Sequence, residues 1–297
     1  MGLILKNVSK TFTGKKVVDN ISFSLEEPGV FGLLGTNGAG KTTTIRMLLG
    51  IIKKDSGEIK WNDKKVDRKS VNFGYLPEER GVYPKVKIYD QLMYFAELKG
   101  MKRSEADKTI NEWAKRLKVE EYMQQPAEKL SKGNQQKIQF MTAIIHNPEL
   151  VVLDEPFSGL DPVNTQIIKG VIEELIQKGT YIILSSHQMS VVEEYCRDII
   201  ILNRGKTILK GNLSDIKRSY GKNNLLIESY EDLSTIIPSD AEIIDKKVNS
   251  YEIKLRNEEM SQDILRKIVE SNIKISKFEI KEPSLHQIFI NEVGEVK

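Results

Sequence analysis

The chain has a single cysteine, Cys196, among its 297 residues. That excludes an internal disulfide and suits a reducing compartment. Val191, Val192 and Tyr195 recur beside it at helical spacing, so the thiol is expected to be packed rather than reactive. No stretch approaches the ~20 consecutive apolar residues that a membrane-crossing helix needs. The opening Met1-Gly2-Leu3-Ile4-Leu5-Lys6 is too short in apolar length for a secretory leader, and Lys6 stands where a myristoylation signal wants Ser or Thr. An excess of one charge is also missing. With 45 Lys and Arg against 42 Asp and Glu, composition supplies no field pointing to nucleic acid or an anionic membrane. No Asn-Lys-x-Asp tetrad occurs, so the guanine-reading element of a GTPase is absent. Internal repeats and low-complexity tracts are absent too. From these absences a soluble, cytoplasmic chain is expected, long enough for one large domain plus a small one, or two, and any membrane role must come through a partner.

What is present is organised around Gly29-Val30-Phe31-Gly32-Leu33-Leu34-Gly35, an apolar run that reads as a buried strand. It leads into Gly35-Thr36-Asn37-Gly38-Ala39-Gly40-Lys41-Thr42-Thr43, and then into a helical pattern with Ile45, Leu48 and Leu49 on one face. Glycines at 35, 38 and 40 let the backbone adopt positive φ, so successive N–H groups turn inward around a phosphate. The helix adds the positive end of its dipole. Lys41 can reach the β- and γ-phosphates, and the Thr42 hydroxyl can ligate Mg²⁺.

Before this loop, strands are expected over 3–8 and 20–25, with a turn at Thr13-Gly14 and Phe12 just ahead of it. After it, Gly50 can close the helix and Glu58–Trp61 forms a short strand. From about 79 to 147 the pattern becomes helical, an insertion within an α/β core. The core resumes with Leu150-Val151-Val152-Leu153, an unbroken apolar strand of the kind covered on both faces. Asp161-Pro162 opens a helix as N-cap and first residue. Tyr181–Leu184 is the next strand, and Ile199–Leu202 with Thr207–Leu209 makes a hairpin around Arg204-Gly205. Strands alternating with helices predict a mostly parallel sheet. Residues 219–224 read as a linker, and 225–297 as a small α+β accessory domain. Its predicted order is strand, helix (about 231–237), strand, strand, helix (258–270), strand, helix, the β-α-β-β-α-β of a ferredoxin-like unit.

Asp154-Glu155 follows the strand Leu150–Leu153, and strand C-termini line the ligand crevice of a parallel sheet. Asp154 can hold Mg²⁺ through water, and Glu155 can orient or deprotonate an attacking water. Ser185-Ser186-His187 ends the next strand, so a His187 ring nitrogen can reach the same crevice edge. Leu130-Ser131-Lys132-Gly133-Asn134-Gln135-Gln136 opens another helix. Read alone it is an ordinary start capped by Ser131, and physically it is also a second anion site.

Together these stretches resemble the ATP-binding cassette (ABC) ATPases over about residues 1–218. Gly35–Thr42 matches the Walker A motif, Leu150–Glu155 the Walker B strand with its catalytic Glu, and Leu130–Gln136 the family signature. Ser158-Gly159-Leu160-Asp161 is similar to the D-loop, His187 to the switch histidine, and Gly74–Glu78 to the loop that senses the membrane partner. Phe12 lies where the family places an aromatic that stacks on adenine. The signature departs from the commonest form at Lys132 and Asn134, while Ser131 and Gly133, which meet the γ-phosphate, remain; Glu78 stands where Gln is usual. The run Glu78–Tyr83 and the C-terminal domain look most like ATPase subunits of bacterial ABC-2-type exporters, including the sodium-efflux group.

The resemblance implies a P-loop fold with a parallel core sheet, an antiparallel β-subdomain and an inserted helical subdomain. It implies ATP and Mg²⁺ as ligands, and a second cassette, identical or homologous, paired head to tail. It also implies separate transmembrane permease subunits that hold the chain at the inner face of the cell membrane. Carboxylate chemistry favours Glu78 facing the metal with Thr42 and Asp154, against a surface pair with Arg80. Two other classes compete with the exporter ATPase. A soluble ABC ATPase acting on DNA or ribosomes would need long heptad insertions or two cassettes in one chain, which are absent, so no nucleic acid is expected. A nucleotide-gated module without turnover does not need Glu155 and His187, which are retained.

Overall fold

The computed structural model describes residues 2–66, 71–79 and 81–294. The chain divides into two compact units, Met1–Gly211 and Asn212–Lys297. That division falls ahead of the expected 219–224 linker.

In chain order the first unit opens with β1 (Leu3–Phe12), β2 (Lys15–Leu25), β3 (Gly29–Gly35) and α1 (Lys41–Leu48). It continues with β4 (Ser56–Trp61), β5 (Lys64–Lys65), β6 (Phe73–Leu76), α2 (Ile88–Leu98), α3 (Arg103–Leu117) and α4 (Lys132–Ile144). It closes with β7 (Leu150–Asp154), α5 (Pro162–Gln177), β8 (Tyr181–Ser185), α6 (Met189–Tyr195), β9 (Cys196–Asn203) and β10 (Lys206–Asn212). The first two strands are longer than expected. Once paired, the hairpin extends to Phe12 opposite Lys15, beyond the reach of the apolar alternation. Asn7, at φ 51°, marks a bulge where the β1 register shifts.

The strands build two sheets, one ordered β2-β1-β4-β5 and the other β10-β9-β3-β8-β7-β6. In the second, β3, β6, β7, β8 and β9 pair in parallel. Alternate residues of the first sheet (Leu3, Leu5, Ile21, Phe23, Ile59, Trp61) point into one core shared with Phe31 and Leu33 of β3 and Ile45 and Leu48 of α1. Phe23 stacks on Phe31 at 4.7 Å, and every residue of β7 is buried. Cys196 is buried at the start of β9, where burial pushes its thiol pKa up and keeps it inert.

Helix α4 lies close against β6. A Cβ on Gly74 would sit 2.1 Å from the Ala143 carbonyl oxygen, a contact only glycine allows. Gly74→Ala is therefore expected to destabilise the first unit by about 1–3 kcal/mol, read as a lower denaturant midpoint.

The second unit contains α7 (Leu213–Ser219), β11 (Asn224–Ser229), β12 (Ile243–Lys247), β13 (Ser250–Lys254), α8 (Glu258–Glu270), β14 (Ile275–Lys281) and α9 (Leu285–Val293). Its sheet runs β12-β13-β11-β14 with antiparallel neighbours, the strand order of the split βαβ unit. The first expected helix, 231–237, does not form; the segment is a series of turns. Ser229 Oγ accepts from Glu231 N at 2.9 Å, and Asp232 Oδ1 accepts from Ser234 N at 2.9 Å. These local bonds compete with a helical ladder. Leu233, Ile236 and Ile237 still reach the core of the unit.

Candidate functional site

Leu33 of β3 pairs with Ser185 of β8, and Ser185 pairs with Asp154 of β7. The loops after Gly35, Asp154 and Ser185 therefore leave the sheet side by side, at the edge where parallel sheets hold ligands. Gly35, Gly38 and Gly40 have φ of 150°, 76° and 102°. A Cβ on Gly35 would lie 2.4 Å from Leu202 O, and one on Gly40 2.8 Å from Val17 O, so the loop is closed to side chains from behind. Gly205 N donates to Ala39 O at 3.1 Å, which makes the β9–β10 turn a brace under the loop. Thr36 is half-buried, Asn37 exposed, and Lys41, Thr42 and Thr43 form the half-buried first turn of α1. The Lys41 ammonium donates to Gly35 O at 2.8 Å and Thr36 O at 3.2 Å. Burial lowers its pKa, and the carboxylates of Glu155, Asp154 and Glu78 oppose that shift.

Asp154 is 2% exposed and its Oδ2 has no hydrogen-bond partner among the described residues. Burial raises its pKa, and the like charges of Glu78 and Glu155 add to the effect. An unmet buried acceptor in a field of carboxylates fits a divalent cation, which would satisfy the oxygen and relieve the repulsion. Among the described residues no three His, Cys, Asp or Glu side chains converge as a preformed metal cage. A hard cation held here would take its remaining oxygens from a hydroxyl such as that of Thr42, from phosphate and from water.

Glu155 adopts a left-handed backbone, φ 53°, unusual for a side chain with a Cβ. Its N–H donates to Ser185 O at 2.9 Å, tying the turn to the neighbouring strand. His187 Nδ1 lies 2.8 Å from Glu155 Oε1, and Ser186 Oγ donates to Oε2 at 3.4 Å. The carboxylate is buried while the His187 side chain is 64% exposed, so the pair spans from the sheet edge to solvent. A basic carboxylate held in this way can orient a water.

The other predicted residues gather elsewhere. Ser131 caps α4 by accepting from Asn134 N at 3.2 Å. A Cβ on Gly133 would approach the Asn164 side chain at 3.0 Å, so this helix start adjoins that of α5. There Asp161 accepts from Asn164 N at 2.8 Å, the bond chiefly responsible for its lowered pKa. Among the described residues no hydrogen bond or ion pair joins Ser131, Gly133 or Asp161 to Gly35–Thr43. Phe12 is 42% exposed at the end of β1, with Lys10 Nζ 5.2 Å from its ring centre. Asp55 holds that strand end, accepting from Thr11 N and Lys10 Nζ at 2.7 Å each. Glu78 is exposed; the alternative pairing with Arg80 lies outside the described residues.

The chain matches the ABC transporter family over residues 18–158. It is 48% identical to YhaQ of Bacillus subtilis (strain 168), an uncharacterized ABC transporter ATP-binding protein, over 99% of both chains. The chain belongs to the ABC transporter ATP-binding proteins. Residues 211–293 match the C-terminal domain of ATP-binding protein DrrA1-3-like proteins. LnrL of Bacillus subtilis (strain 168), a linearmycin resistance ATP-binding protein, is 30% identical over 97% of both chains. A solved ATP-binding subunit of an ABC transporter superposes with a TM-score of 0.69 at 30% identity, covering 74% of this chain and 94% of that one. Binding and hydrolysis of ATP are properties of the family and hence of this ABC ATPase. Among its described residues no helix is long and apolar enough to cross a membrane.

Several groups that shape the ABC site carry no motif signal. Gly205 acts through its backbone N–H and Asp55 through its carboxylate, and two buried glutamines of the helical insertion, Gln91 and Gln139, bond to the loop around Glu78. Only a hydrophilic residue on an otherwise apolar helix face hints at the glutamines.

Proposed function

We propose that this ABC ATPase powers an exporter from the cytoplasmic face of the membrane, paired with a second cassette and with separate transmembrane permease subunits. The observation that carries the proposal is the convergence of Lys41, Asp154, Glu155 and His187 at one sheet edge, while the signature residues Ser131 and Gly133 stand apart, free to complete a partner's site. Gly35–Thr43 cradles the phosphates and Lys41 neutralises them. Glu155 accepts a proton from the attacking water, and His187 orients both. Phe12 offers an aromatic face to adenine, and Asp161 sits at the cassette–cassette contact. Thr42, Asp154 and Glu78 would hold Mg²⁺, which supplies charge neutralisation to the phosphates. Export is supported by the likeness to a resistance ATP-binding protein along nearly its whole length.

Extraction of the tagged chain in mild detergent is expected to recover a polytopic membrane chain in stable association. Recovery of only nucleic acid or ribosomes would overturn the transporter reading and favour a soluble ABC ATPase.

A further inference from the structure

Gln139 lies on α4, within the helical insertion, and is 4% exposed. Its side-chain amide donates to Pro77 O at 3.0 Å and to Glu79 O at 2.8 Å. One NH₂ group thus holds the carbonyls of the residues before and after Glu78, fixing the 77–78 peptide plane on one side of it and anchoring the Glu79 carbonyl on the other. The far end of the same loop is held in the same manner. Gln91 of α2, 2% exposed, accepts from Tyr83 N at 2.8 Å and donates to Tyr83 O at 3.0 Å and Val86 O at 2.8 Å. Three residues before Gln139 on α4, Gln136 donates to Pro156 O at 3.2 Å, beside Glu155. The helix that begins at Ser131 therefore grips the chain next to two of the acidic groups at the sheet edge. The Glu78 charge itself falls within the field of Lys41 and Asp154.

From this geometry we infer that Gln139 is a positioning residue: it sets Glu78 toward the metal and phosphate centre. The inference rests on the metal-facing role proposed for Glu78. A simpler role, satisfying two buried carbonyls, predicts lost stability with unchanged metal dependence. A positioning role predicts a changed requirement for Mg²⁺, because losing a group that orients a metal ligand typically costs about 10–100-fold in metal affinity or activity.

The test measures ATPase of the full chain against Mg²⁺ concentration at saturating ATP, together with binding of a fluorescent ATP analogue in EDTA. Gln139→Met keeps length and removes both donors. It is expected to raise the half-activating Mg²⁺ concentration about tenfold while Mg²⁺-free nucleotide binding is unchanged. A curve superimposed on that of the parent chain overturns the inference. Glu78→Ala separates this outcome from failure of the underlying role. If Glu78→Ala shifts the curve and Gln139→Met does not, only the inference on Gln139 falls. If Glu78→Ala leaves the curve in place, the metal-facing role of Glu78 falls, and the inference with it. The double variant is expected to shift no further than Glu78→Ala alone, and multiplied shifts would show that Gln139 acts elsewhere. Should Gln139→Met fail to melt cooperatively, Gln139→Glu retains the shape and turns an acceptor toward both carbonyls, and the same curve decides.

Discussion

Glu155→Gln is expected to lower ATP turnover by about 10²–10⁴-fold while ATP still binds. The amide is nearly isosteric, so the turn at φ 53° and the contact with His187 Nδ1 can persist. What disappears is the basicity needed to take a proton from water. The proposed ATP-holding elements are the glycine loop and Lys41, neither of which touches Glu155 through a hydrogen bond. The closed form should therefore accumulate, and size-exclusion chromatography with ATP and Mg²⁺ should show a dimer that the parent chain populates only briefly. Phosphate release near the parent rate would reject Glu155 as the base.

The second large effect concerns the separation between the two helix starts proposed to hold the phosphates. Lys41 sits against Gly35 and Thr36, whereas Ser131 caps α4 beside Asp161 and Asn164. If a complete site needs Lys41 of one chain and Ser131 of another, Lys41→Ala and Ser131→Arg are each expected to cut hydrolysis by at least ~10²-fold when pure. Removing the lysine deprives the phosphates of their cation, and the arginine fills the space a γ-phosphate would occupy against the helix start. A mixed dimer has one site carrying both lesions and one carrying neither, so mixing the two chains should restore a measurable share of activity. Absence of recovery, with mixed dimers shown by differential tagging, would count against the head-to-tail arrangement with one sufficient site.

Much of the site was readable because its information is local. The spacing from Gly35 to Thr42 dictates positive φ at set intervals, and Asp161-Pro162 and Ser131 announce helix starts through their own side chains. Local signals also misled. The apolar residues Leu233, Ile236 and Ile237 suggest a helix, yet Ser229 and Asp232 draw the backbone N–H groups into turns while those residues still fill the core. The first strands outran their alternating pattern because hairpin pairing, rather than composition, carries β1 to Phe12.

From the sequence alone came the charge balance, the lone cysteine, the glycine-rich loop, the acidic strand end and the family to which they belong, since each is written in neighbouring residues. The tertiary structure decided what those residues do to one another. It buried Asp154 with an unmet oxygen, brought His187 to Glu155, and placed Lys41 in the field of three carboxylates. It also tied Gln139 to carbonyls 60 and 62 positions away. These are contacts between distant parts of the chain, made by sheet register and by the seating of α4 on β6. No periodicity or motif encodes them, because the energy of each depends on burial and distance that exist only after folding.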